Sequence, residues 1–100
     1  MTSYMKIDGL TVPYIDGFYD IPVLHVDGQG LATKCTYLVH VHDGQLCPYH
    51  DCDAFVIEPN SSDDYRLSRG GENGMIVPKL FLDKLAAMLK FELPSPVPVA

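Results

Sequence analysis

Cys35-Thr36-Tyr37-Leu38-Val39-His40-Val41-His42-Asp43-Gly44 is the stretch whose reading decides the fold. Side chains of an extended strand alternate between its two faces, so Cys35, Tyr37, Val39 and Val41 fall on one side and Thr36, Leu38, His40 and His42 on the other. The first set reads as core. Cys35 belongs with it, because a free cysteine behaves as a small hydrophobe. The run then stops at Asp-Gly, a pair suited to the positive φ angles of a tight hairpin turn.

Working outward, the same turn chemistry recurs at Asp8-Gly9, Asp16-Gly17 and Asp27-Gly28. Between these turns lie short apolar segments with strand character: Tyr4–Ile7, Leu10–Tyr14, Ile21–Val26, and later Ala54–Ile57. A further hairpin is expected from Tyr65–Ser68 to Met75–Val77, across the glycine-rich Gly70-Gly71-Glu72-Asn73-Gly74. Pro13 and Pro22 cannot donate to a ladder, so they mark edges or bulges. In Ile21–Val26, Leu24 and Val26 are expected on the core face, which turns His25 toward the face of His40 and His42.

One helix is expected, from about Pro78 to Phe91. Proline suits a first helical turn, where its missing N–H costs nothing. Leu82, Leu85, Ala86 and Leu89 recur at helical spacing, Phe81 and Met88 widen the stripe, and Lys79, Asp83, Ala87 and Lys90 form the opposite face. A lone helix in a mostly β chain serves to cover a sheet. The expectation is an α+β domain over residues 1–93: a small antiparallel β-meander of five to seven short strands under one C-terminal helix. Residues 94–100, Pro-Ser-Pro-Val-Pro-Val-Ala, read as an extended, flexible tail.

Bulk properties narrow the function classes. One hundred residues with 47% hydrophobic and 20% charged side chains are enough for one globular core. Thirteen acidic against seven basic residues give a net charge of −6. That balance disfavours direct nucleic-acid binding, which needs cationic side chains on phosphates, and attraction to anionic membranes. It suits a partner with a basic surface. The first residues show no basic segment leading into an apolar one, and three cysteines cannot all pair in one chain, so thiols in a reducing cytoplasm are expected.

Every histidine and cysteine lies between His25 and Cys52. His40 and His42 sit ~7 Å apart on one strand face. Cys47-Pro48-Tyr49-His50 is a C-x2-H step, with Cys52 two residues beyond. His40, His42, Cys47, His50 and Cys52 are therefore the candidate ligands of a metal, and the mixed nitrogen and sulfur set suits zinc. Asp51 or Asp53 could orient an imidazole. No catalytic constellation is evident. Gly70–Gly74 fits neither the dinucleotide nor the P-loop spacing.

The functional expectation is a small acidic protein-binding module, a regulator or inhibitor of the kind phages and mobile elements encode. It would occupy a surface of another protein, including a nucleic-acid-binding one. Tyr14, Tyr19, Tyr49 and Tyr65, with Asp63 and Asp64, are the candidate contacts, since tyrosine is favoured at interfaces. A homodimer is compatible with the same features. The alternative is a structural-zinc protein built on the His/Cys cluster, and after it a metal- or thiol-dependent enzyme.

Overall fold

The computed structural model describes residues 2–50, 53–69 and 74–94. Among them eight strands form a single antiparallel sheet, with one helix after the last strand. The strands are β1 (Ser3–Ile7), β2 (Leu10–Ile15), β3 (Phe18–Val26), β4 (Ala32–His42), β5 (Gln45–Pro48), β6 (Val56–Pro59), β7 (Asp64–Ser68) and β8 (Met75–Pro78); the helix is α1 (Lys79–Leu89). The mostly-sheet α+β architecture is as expected. The additional strand is β5, which the C-x2-H reading had treated as loop. The tail from Ser95 onward, Asp51 with Cys52, and Gly70–Asn73 lie outside the described residues.

Three of the four Asp-Gly pairs make the hairpins expected of them. At Asp8-Gly9, Asp16-Gly17 and Asp43-Gly44 both residues have positive φ, from 52° to 53° at the aspartates and 75° to 84° at the glycines. That is the requirement of the primed turn that matches strand twist. Asp27-Gly28 differs. The Asp27 carboxylate accepts hydrogen bonds from the N–H groups of Gln29 (2.8 Å) and Leu31 (2.9 Å), and the left-handed residue is Gly30. This wider loop joins β3 to β4.

Hydrogen-bond polarity follows from these turns. The residues flanking a two-residue turn form a hydrogen-bonded pair, and alternate residues then point their backbone groups to the same side. Ile15 pairs with Phe18, so even-numbered residues of β3 bond away from β4 and odd-numbered ones toward it. On that even side β3 meets β2 at Phe18 and Tyr19 and β8 at Leu24 and His25. Between the two contacts stands Pro22, which has no N–H to leave unpaired. Pro13 of β2 faces the same opening by the same count. The two prolines end the β2–β3 ladder and let the sheet split, with β2 and β8 diverging from one side of β3.

The register also corrects the face assigned to β3. Ile21 lies opposite Tyr37 and Val23 opposite Cys35. Ile21 and Val23 are therefore the core residues (0% and 5% exposed), while Leu24 turns to the other face. Both faces of this strand carry apolar side chains, so alternation alone could not choose between them. His25 consequently lies opposite Thr33, on the face away from His40 and His42. Cys35 keeps the expected parity but is exposed, because β4 there runs past the part of the sheet that α1 covers.

Helix α1 packs on β7, β8 and β1. Phe81, Leu82, Leu85 and Ala86 are buried against Ile7, Val12, Tyr65, Leu67 and Val77. Met88 is 50% exposed, so it does not extend the stripe. Lys90 closes the helix in the left-handed conformation, with its N–H on the Ala86 carbonyl. The chain then returns to the sheet: Glu92 N–H bonds the Gly44 carbonyl at 3.0 Å. Lys84 pairs with Asp8 at 2.9 Å, tying the helix to the first hairpin.

Two predictions follow from this packing. Gly74 has backbone so close that an added Cβ would stand 2.7 Å from the Leu67 carbonyl oxygen. Gly74→Ala should destabilise by about 1–3 kcal/mol, the cost typical of overpacking, measured by urea unfolding. Tyr65 donates its hydroxyl to Asp83 at 3.0 Å, and Lys79 bonds the other carboxylate oxygen at 2.8 Å. Burial, and then the Asp83 bond, raise the Tyr65 pKa above 10.0. The bond to Asp83 likewise raises that of Lys79 above 10.5. Both contributions are complete below the unfolded-state values and are lost as pH climbs through the folded ones. Tyr65→Phe should cost about 1 kcal/mol at neutral pH and flatten the fall of Tm above pH 10.

Candidate functional site

The alternation that places Val39 in the core places His40 and His42 on the opposite face, which α1 leaves uncovered. Register extends that face across four strands. Tyr4 of β1 lies opposite Pro13 of β2, and Ile15 opposite Phe18 of β3. The Phe18 ring lies 5.4 Å from that of His40, and His40 lies 6.5 Å from His42. Tyr4, Pro13, Ile15, Phe18, His40 and His42 thus form a continuous aromatic and aliphatic row. Tyr4 is 66% and Ile15 42% exposed, and Phe18 and His40 are half-buried. The rim is acidic. Asp16 stands in the turn between Ile15 and Phe18 and Asp43 in the turn beside His42, and the Asp43 carboxylate is 3.4 Å from His42 Nε2.

The candidate metal ligands are distributed unevenly about this face. His40 lies directly opposite Cys47, with His42 two residues along, so all three share one side of the β4–β5 hairpin. Cys47 is fully buried, and its thiol donates to the Gln45 carbonyl at 3.5 Å. His50 is engaged elsewhere: its Nε2 is 2.9 Å from Arg69 Nη1, and its ring packs edge-on against Tyr49. Cys52 and Asp51 lie outside the described residues. Among the described residues no group of three or more ligating side chains is close enough to hold a metal ion.

The candidate contact residues also divide. Tyr14 and Tyr19 stack at 5.4 Å on the core-facing side of β2 and β3. Tyr65 is 6% exposed and its hydroxyl is occupied by Asp83, which leaves little of it for a partner. Tyr49 is 51% exposed and meets Tyr37 at 6.4 Å. Asp64 organises the turn before β7, accepting from Asn60 Nδ2 (2.8 Å) and Ser61 Oγ (2.9 Å). Asp63 is exposed, and its carbonyl accepts the first helical N–H, that of Lys79.

Sequence reasoning found His40 and His42 but not their neighbours. Ile15 and Phe18 flank an Asp-Gly turn, and apolar residues on the polar parity of two consecutive strands were the signal available. A second feature missed is a cleft of about 440 Å3 on the sheet where it splits, lined by Leu10, Pro22, Leu24, Lys34, Ile76 and Pro78 among others.

No helix among the described residues is long and apolar enough to cross a membrane. Comparison of the chain with protein-family models, with curated proteins and with solved structures finds no match.

Proposed function

We propose that this chain is a small protein-binding module, a regulator or inhibitor that acts by covering a surface of another protein. The observation that carries the reading is the uncovered row from Tyr4 through Ile15, Phe18 and His40 to His42. A sheet with one helix buries one face. Here the second face is mixed: Lys6, Thr11 and Asp20 share it with the aromatic and aliphatic row, and apolar patches rimmed by polar groups characterise interaction sites. Asp16 and Asp43 at the rim, with the net charge of −6, favour a folded partner whose apolar patch is bordered by Lys or Arg.

The test uses the chain with benzoyl-phenylalanine replacing Ile15, photolysed in an extract of its source. A discrete adduct is expected, weakened by salt. Phe18→Asp should abolish it, because loss of a central aromatic contact costs about 2 kcal/mol, roughly thirtyfold in affinity. Met88→Asp, on the exposed helix face, should leave it intact. Adducts that are the same for Phe18→Asp and for the parent would contradict the reading.

A second reading, a structural zinc site, has one specific observation in its favour. The β4–β5 register sets His40 against Cys47 with His42 on the same side. A further ligand would have to come from outside the described residues, where Cys52 lies. This reading predicts one zinc per chain by elemental analysis of protein purified without chelator, lost together with thermal stability in His40→Ala. A folded, zinc-free chain would contradict it.

A further inference from the structure

The first half of β4 is an open strand edge. Ala32, Thr33, Lys34, Cys35 and Thr36 are all exposed. β3 flanks them on one side, whereas β5 joins the other side only from Val39 to His42. The Tyr49 N–H takes the Leu38 carbonyl at 3.1 Å, and there the pairing ends. Among the described residues no strand pairs with the outer side of residues 32–36.

The polarity of this edge follows from the Asp43-Gly44 turn. His42 and Gln45 flank it as a hydrogen-bonded pair, so even-numbered residues of β4 aim their N–H and C=O away from β3. The bond from Tyr49 to Leu38 obeys the same rule. Ala32, Lys34 and Thr36 therefore present their backbone groups outward, the template for another strand.

We propose that a second copy of this chain fills the edge, β4 pairing antiparallel with β4 about a two-fold axis at Cys35. Even-numbered residues bond one another in short registers centred on Thr33, Lys34, Cys35 or Thr36; the Thr33 register runs back into the Asp27–Leu31 loop and the Thr36 register onto the Leu38 carbonyl that Tyr49 already occupies, which leaves two. Centred on Lys34, the first sets two ammonium groups face to face, which is destabilising. Centred on Cys35, the second sets Lys34 opposite Thr36 of the other copy and Thr33 opposite its Tyr37. Lys34 thus blocks one register and permits the other. Charge also selects the occupant. The chain has 13 acidic residues, yet Gly28 to His42 holds none. Two such acidic chains meet with least repulsion along this segment. The two-fold pairing is isologous and closes at two copies. A contact of one short strand pair falls below the size of a standard interface, so the dimer is weak and concentration-dependent. The proposal uses other residues than the Tyr4–His42 row and stands or falls separately from it.

The experiment pairs sedimentation velocity, from micromolar to millimolar chain, with diamide oxidation in a Cys52→Ser background; Cys47 is buried. Diamide takes two electrons and two protons from two thiols to form one disulfide. In the Cys35-centred register the two Cα atoms form a non-hydrogen-bonded pair ~4.5 Å apart, inside disulfide range. The expected result is a dimer fraction that rises with concentration and a disulfide-linked dimer that disappears in Cys35→Ala. Moving the thiol, as Cys35→Ala with Thr33→Cys, should cross-link poorly, since those positions lie ~13 Å apart by strand rise. Lys34→Pro removes one outward N–H at an edge that tolerates proline; it should stay folded by circular dichroism and remain monomeric. A chain monomeric at every concentration would overturn the proposal, as a strand supplied by a different protein would require. Cross-linking equally fast at positions 33 and 35 would overturn it too, and this comparison decides the matter if Lys34→Pro fails to fold.

Discussion

The backbone ladder of β3 is the constraint on which the rest of the structure depends. Its residues from Tyr19 to Val26 pair with β4 along one side, and the strand meets β2 and then β8 along the other. Every strand reaches the sheet through this one. The N-terminal hairpin hangs from its beginning, the C-terminal strands from its end, and β4 brings β5 with it. Pro22 is what makes the double attachment tolerable. It sits where the second side has no neighbour, so the missing donor leaves no buried backbone group unsatisfied. The cleft at the opening is the geometric consequence of two strands leaving one side of a third.

A single eleven-residue helix then decides which face is core. Its buried stripe from Phe81 to Ala86 meets Ile7, Val12, Leu67 and Val77, and Phe91 and Glu92 bring the chain back to the β4–β5 turn. The other face keeps its apolar side chains in contact with solvent. Fold and function are linked at this point. Among the described residues no second helix covers Ile15 and Phe18, and the proposed contact surface rests on that.

Much of this was legible in the residues. Asp-Gly pairs located three hairpins, because positive φ at two successive positions is a demand few dipeptides satisfy. Leucine spacing located the helix to within about a turn, as helical periodicity should. What the sequence could not convey was long-range. In Phe18–Val26 either parity could have been the core; pairing with β4 and closure by β8 made the choice. Asp27-Gly28 resembled the other turns until its carboxylate was seen capping a wider loop. The concentration of His and Cys suggested one site, but strand register divides it: His25 goes to one face, His40, His42 and Cys47 to the other, and His50 to Arg69.

Residue-resolved hydrogen exchange in dilute solution addresses the shared-strand account most directly. If β3 is the member every other element depends on, the amides of Ile21, Val23 and Leu24 exchange only through global unfolding. Those of Lys34 and Thr36, on the open side of β4, exchange orders of magnitude faster. Amides of β3 that exchange as readily as Lys34 and Thr36 would show that the sheet opens without it, and the account would be wrong.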